Sequence, residues 1–335
     1  MQEGADYREP PLVDFDGEDS FAGHEPAPDA APEIRSAIVS ITQHGERLDK
    51  VLVALAPEFS RSHLQQLLER GHVQVDGVMG GAASRRLRGG QKLQLELVPT
   101  DESRAFRPQA MALQILFEDE HLLIIDKPAG LVVHPAPANW SGTLLNGLLA
   151  HHATAAQLPR AGIVHRLDKD TSGVMIVGKS LPAVTALVRD IAARVISRRY
   201  LALVHGVPAL AEFSVDAPIG RDPAVRVRMA VLAGGKPART DVQVLASQGI
   251  GHGGVAALRC ILHTGRTHQI RVHLASKGHP LLADATYGGK PLLGLQRQAL
   301  HAAELSLAHP ITRGPLAFAC APPADFQQAW NQVLP

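Results

Sequence analysis

The chain has 335 residues, 45% of them hydrophobic and 19% charged, with a formal net charge of +1. That length supports about two domains with a sizeable core, and no run reaches the roughly 18 to 20 apolar residues that a bilayer span requires. The N-terminus lacks the basic start and apolar stretch of an export signal, and two cysteines, Cys260 and Cys320, supply no disulfide framework, so a soluble cytoplasmic protein is expected.

The charge is unevenly divided. Residues 1 to 33 carry ten acids against Arg8 alone, a net of −9, which leaves +10 for the body. With five prolines and few large apolar residues, positions 1–36 read as a disordered acidic tail. A basic body suits a phosphate-bearing partner, because each neutralised phosphate releases counterions.

A strand-like stretch, Ala37 to Gln43, opens the first folded region at 37–98. Leu48, Val51, Leu52 and Leu55 have helical spacing, and Ser60 can cap a second helix carrying Leu64, Leu67 and Leu68, with Gly71 just past its end. Val73 and Val75 alternate into the turn Asp76-Gly77, and Leu93, Leu95 and Leu97 form a closing strand. Between residues 47 and 92 eight basic residues, among them Arg47, Arg61, Arg85 and Arg86, face four acids. This excess fits RNA contact, and a solvated surface equally well.

Pro99, Pro108 and several charges mark 99–111 as a linker, followed by a larger domain at 112–335. Leu122 to Ile125 is a buried strand, Thr143 to Ala150 a short helix, and Pro182 sits in the first turn of a helix running to about Arg194. Strands are expected around Arg199 to His205, Thr240 to Leu245 and Ala256 to Leu262, and a helix from Thr267 to Ser276, ended by Gly278. Strands outnumber helices without regular alternation, which predicts an α+β domain and argues against a doubly wound one.

The chemistry is concentrated in Ile163-Val164-His165-Arg166-Leu167-Asp168-Lys169-Asp170-Thr171-Ser172-Gly173. Here a charged loop lies between an apolar pair and the apolar run Val174 to Val177, both read as strands. A carboxylate among bases stays ionised near neutrality, which suits a nucleophile. Composition leaves Asp168 and Asp170 open for that role. His263, His268 and His273 recur every five residues; on a helix that step spreads them around the axis, and no metal site is expected. No Gly-x-Ser-x-Gly elbow or Walker-type loop is present, which removes support for serine hydrolase and nucleotide-hydrolysing readings.

His165-Arg166-Leu167-Asp168, its flank Pro159 to Gly162, the run Thr264-Gly265-Arg266-Thr267-His268-Gln269-Ile270-Arg271-Val272-His273 and the run Arg297 to Ala302 together resemble the RluA-type pseudouridine synthases, from about residue 37 to about 330. The N-terminal region is similar to the alpha-L RNA-binding module. The resemblance implies a catalytic domain with a mixed, largely antiparallel sheet and flanking helices. It also implies isomerisation of uridines in large-subunit ribosomal RNA or its precursor particle, without a cofactor and as a monomer. The alternatives are other rRNA sites, tRNA, or an RNA-binding assembly factor without catalysis. By motif position it makes Asp168 the nucleophile, Arg271 its partner with Arg266 as the alternative, and Tyr200 the ring set against the uracil. Arg166 would enter the RNA stack as the target leaves it, at a cost of a few kcal/mol, and Arg266 suits phosphate. Beside Tyr200 this chain carries Arg198 and Arg199 where the family usually has a lysine.

Overall fold

The computed structural model describes residues 33–98, 105–136, 139–225, 227–251 and 253–334. The expected acidic tail, up to residue 32, and the linker positions 99–104 lie outside the described residues. The described chain divides into two compact units, with the boundary in sequence between Arg107 and Pro108.

In the first unit β1 (Glu33–Ile38), α1 (Leu48–Leu55), α2 (Arg61–Glu69), β2 (Val73–Val75), β3 (Val78–Met79) and β4 (Lys92–Leu97) follow in order. The strands make a four-stranded antiparallel sheet in the order β1-β4-β2-β3. Its core is Leu48, Leu52, Leu64, Leu67, Val73, Leu93 and Leu95, each 1% exposed or less, so the helical and alternating apolar patterns meet in one cluster. The Ser60 hydroxyl accepts from the His63 amide at 3.2 Å and caps α2. The first strand starts and ends earlier than its pattern suggested. It pairs with β4 from Glu33↔Leu97 to Ile38↔Lys92, and beyond that Ser40 and Gln43 form a capping box that turns Ile41–Gln43 into a 3-10 helix. Residues 33–36, assigned by composition to the tail, therefore belong to the sheet.

The second unit contains β5 (Gln114–Glu118), β6 (Leu122–Lys127), α3 (Leu144–His151), β7 (Ser172–Gly178), α4 (Leu181–Ala192), β8 (Ser197–His205), β9 (Glu212–Asp216), β10 (Ile219–Arg221), β11 (Met229–Val231), β12 (Arg239–Gln248), β13 (Val255–Leu262), α5 (Gln269–Ser276), β14 (Leu300–Ala308), β15 (Pro315–Ala319) and α6 (Ala324–Asn331). A nine-stranded sheet runs β5-β6-β7-β14-β8-β13-β12-β9, with β15 also paired to β14, and β10 and β11 form a separate hairpin. Among the described residues only β7 and β14 run parallel.

Both faces of the sheet are covered. Leu123 and Ile125 of β6 pack with α3 and α5 on one side, while Leu122 and Ile124 pack with α4 on the other, and α6 covers Leu203, Val255 and Ala257. This double burial is why β6 reads as an unbroken apolar run. Upstream of the charged loop no strand forms, contrary to expectation. Ile163 makes a single bridge to Val177, because Pro159–Gly162 is wound into 3-10 turns with Arg160 and Ala161 at positive φ.

Candidate active site

The charged loop enters β7 through two glycines that no other residue can replace without displacement. Gly162 has φ +83° and a Cβ there would lie 1.9 Å from the Gly178 carbonyl oxygen; at Gly173, φ +120°, it would lie 2.2 Å from that of Ala302. Between them the backbone is tied from several sides. The Thr171 amide donates to the Asp168 carbonyl at 3.1 Å, and the Gly130 amide to the Lys169 carbonyl at 2.9 Å. Lys127, fully buried, donates its ammonium to the carbonyls of Pro128, Leu131 and Lys169 at 2.8, 2.9 and 2.9 Å. Burial draws its pKa down to about 8, opposed by Asp170 and Asp168. Arg297 donates to the Asp170 carbonyl at 2.9 Å while its other nitrogens clasp Asp325 at 2.8 and 2.9 Å. His301, on β14, accepts at Nδ1 from the Ser172 hydroxyl and donates from Nε2 to the Cys320 carbonyl.

So held, the Asp168 carboxylate meets α5. Arg271 Nη1 donates to Asp168 Oδ2 at 3.0 Å, and its Nε and Nη2 donate to the two oxygens of Asp284 at 2.8 and 2.9 Å. One guanidinium thus bridges two carboxylates, with the Tyr287 ring 5.0 Å from its centre. Burial works against the Arg271 charge, but the bonds and fields of Asp284 and Asp168 outweigh it and raise its pKa. Gln269 secures the approach to the helix. Its amide oxygen accepts from the Thr264 hydroxyl and the Arg266 amide at 2.7 and 3.0 Å, and its nitrogen donates to the Arg239 carbonyl and the Thr240 hydroxyl at 2.9 and 3.0 Å. The helix starts two residues later than its pattern suggested, because His268 takes the N-cap in the left-handed region with φ 55°.

That strained histidine faces the carboxylate. The Met229 amide donates to the Tyr287 hydroxyl at 3.0 Å, and the hydroxyl in turn reaches His268 Nδ1 at 2.9 Å. Burial lowers the His268 pKa, so the ring is neutral at pH 7. With the tyrosine donating, its proton sits on Nε2, 3.9 Å from Asp168 Oδ1. His263 and His273 are engaged elsewhere, with Asp241 at 2.6 Å and with Thr240 and Ala217 at 2.9 Å each.

Asp168, Arg271, Tyr200, Arg166 and Arg266 line one cavity of about 310 Å³, and Asp170 is not among the lining residues. Tyr200 sits on β8 opposite Ala302 and Cys260, 4% exposed, and burial raises its hydroxyl pKa. Arg166 stands exposed at the rim, and Arg266 lies before the helix, its Nε donating to the Pro237 carbonyl at 3.3 Å. In the first unit Arg47 and Arg61 both bind Asp49, which is 1% exposed. Arg47 does so at 3.1 and 2.9 Å, Arg61 at 2.8 Å. Arg85 and Arg86 donate to the carbonyls of Gly80 and Gly45 at 3.0 and 2.8 Å. A guanidinium has five N–H donors, so each anchored arginine retains others for solvent or a ligand.

Asp284, Tyr287, Lys127 and Gln269 were not singled out from the sequence. Asp284 lies 13 positions beyond Arg271 and outside any charged run, so no local pattern marked it. Lys127 lies two positions past the predicted strand Leu122 to Ile125, and nothing in its local sequence marks the carbonyls it holds.

Residues 121–276 match the model of the RNA pseudouridylate synthase family, and residues 46–93 that of the S4 domain. A Nitrosomonas europaea protein named ribosomal large subunit pseudouridine synthase D is 48% identical over 274 residues, covering 79% of this chain and 78% of that protein. The Escherichia coli K12 protein of the same name is 43% identical over 290 residues, with 83% and 87% covered. Among solved structures, human RNA pseudouridylate synthase domain containing 4 superposes with a TM-score of 0.52 at 26% identity, covering 65% of this chain and 92% of that one. With nearly half the aligned positions identical along most of both chains, the chain belongs to the RNA pseudouridylate synthase family.

Proposed function

We propose that this protein converts uridines of large-subunit ribosomal RNA into pseudouridine, with Asp168, Arg271 and Tyr200 at the reacting centre. The observation that carries the reading is the Asp168 carboxylate on the cavity wall, held by a guanidinium that Asp284 fixes from behind. The reaction breaks the ribose C1′–N1 bond, turns the base and rejoins it through C5, with no change of oxidation state, so its chemistry asks for no cofactor. It does need an anion beside the ribose when positive character develops at C1′. Arg271 keeps Asp168 ionised once a bound base has displaced water, since a guanidinium does not lose its proton. Tyr200 offers a flat ring for the uracil to stack on.

The cavity volume lies within the roughly 300–1,000 Å³ of small-ligand sites, room for one nucleotide extruded from its helix. Arg166 at its rim takes the place the base vacates. The S4 module and its anchored arginines Arg47, Arg61, Arg85 and Arg86 supply contacts to neighbouring phosphates, with Arg266 contributing beside the cavity. The names of the relatives point to large-subunit rRNA as substrate, and no helix among the described residues is long and apolar enough to cross a membrane. The protein acts as a monomer in the cytoplasm in this reading.

The test is direct. Unmodified large-subunit rRNA incubated with the purified protein is mapped by carbodiimide-dependent reverse-transcription stops. New stops in that RNA, absent with Asp168→Asn, are the expected result. Modification confined to tRNA overturns the substrate, and RNA binding without any product overturns the enzymatic reading in favour of an assembly factor.

A further inference from the structure

Two residues that line the cavity each carry a buried hydrogen-bond donor with no partner among the described residues. Arg198 is 5% exposed and lines the cavity, and its side chain makes no hydrogen bond or ion pair with any described residue; its Nε is buried and unsatisfied. His165 is 6% exposed and lines the same cavity. Its Nε2 accepts from the Ile176 amide at 2.8 Å, so the proton of the neutral ring is on Nδ1, which is buried and unsatisfied. Burial and the neighbouring Arg198 lower the His165 pKa to about 3, which keeps the ring neutral at working pH. Gly265 makes room for the guanidinium: a Cβ there would lie 3.0 Å from Arg198 Nη1.

A buried guanidinium without a carboxylate is costly, and the group that compensates it has to come from outside the fold. Arg271, the other buried arginine lining the cavity, is already engaged by two carboxylates. Resting on the reading above, we propose that Arg198, with the Nδ1–H of His165, binds the uracil ring once it is detached, as its anion. When C1′–N1 breaks, the bonding pair goes to N1 and the charge spreads to the ring's carbonyl oxygens O2 and O4. After the ring turns, C5 supplies the pair for the bond to C1′, the C5 proton leaves and N1 takes up a proton, so the base is again neutral. Neutral uracil before and after the reaction draws less from a guanidinium than the anion between. Arg198 therefore acts mainly on the bond-breaking step and little on RNA binding.

The experiment is single-turnover kinetics at saturating rRNA together with RNA affinity and thermal unfolding, on the full chain. Arg198→Met is expected to slow the reaction by roughly 10²-fold or more, with RNA Kd within about twofold and a Tm equal to or above wild type, because the charge removed was unpaired. Arg198→Lys should lose less, and added guanidinium ion should restore part of the rate of Arg198→Ala. A rate at saturation that holds while Kd rises about tenfold would reassign Arg198 to a phosphate. A fallen Tm or failure to fold would make it structural, and an unchanged rate would remove it from the reaction. If wild type itself gives no pseudouridine, the enzymatic reading fails and this inference with it; an active wild type beside an equally active Arg198→Met sinks the inference alone.

Discussion

At the scale of single residues, Asp168 and Arg271 make separable predictions. Asp168→Asn keeps the shape and removes the charge, so turnover should fall on the order of 10³-fold with folding and RNA affinity nearly unchanged, measured by product mapping and filter binding. Asp170 provides the control: its carbonyl is held by Arg297 and its side chain is not part of the cavity wall, so Asp170→Asn should retain most activity. Arg271 is more entangled. Arg271→Met leaves Asp168 and the 1% exposed Asp284 without their shared cation, a change that costs about 3–5 kcal/mol when a buried pair is broken. Arg271→Lys restores the charge but not the fork that grips Asp284. Denaturant unfolding should therefore rank wild type above Lys above Met, and activity should follow the same order; equal stability for Met and wild type would refute the bridging role.

At the scale of elements, the loop from Gly162 to Gly173 owes its position to neighbouring strands. The parallel contact of β7 with β14, His301↔Ser172 and Ala302↔Gly173, brings β14 against the loop's end so closely that only a glycine fits. Gly173→Ala should destabilise the catalytic unit by roughly 3 kcal/mol through strain and displaced backbone, visible as a lowered Tm. Lys127 holds the other side. Lys127→Met takes the ammonium from the carbonyls of Pro128, Leu131 and Lys169, of which the last keeps the Gly130 amide, at about 1–3 kcal/mol for each left unsatisfied. Its effect on kcat should exceed its effect on RNA affinity, because the loop it steadies carries Asp168; a loss confined to affinity would contradict this.

At the scale of the whole molecule, the two units respond differently to acid. Arg47, then Arg61, hold the Asp49 carboxyl well below the ordinary aspartate value of 3.8. A depressed folded pKa means the stabilisation is fully present above that ordinary value and is lost as pH falls through the folded one. Asp49→Asn should therefore destabilise the first unit near neutrality, and the difference from wild type should shrink as pH drops below about 4. Amide hydrogen exchange resolved by unit would show this, and a difference constant from about pH 6 to about pH 2.5 would dismiss the Asp49 pair as its source. The charge division yields a further expectation. Removing residues 1–32, just before β1 begins, takes acidic charge from the chain and should leave RNA affinity in filter binding unchanged or tighter; weaker binding would make the segment a contact element.

Local signals determined most of the helices: the spacing from Leu48 to Leu55 for α1, the Ser60 cap for α2, the short stretch Thr143 to Ala150 for α3, and Pro182 in the first turn for α4. The motif order likewise pointed to Asp168 and Arg271, which the fold brings to 3.0 Å across 103 positions of sequence. Local signals could not announce β5, β9, β15 or α6, which are short or half-exposed and form by pairing or docking on β6, β12, β14 and the sheet face. Nor could they separate a solvated arginine from a structural or functional one. Arg47 and Arg61 are bound by Asp49, Arg271 by two carboxylates, and Arg198 by none of the described residues, though all four are the same letter in a sequence. A guanidinium's environment is made by residues far away in the chain. Its charge is a property of the residue, but its burial and its partners arise only when the strands and helices close around it.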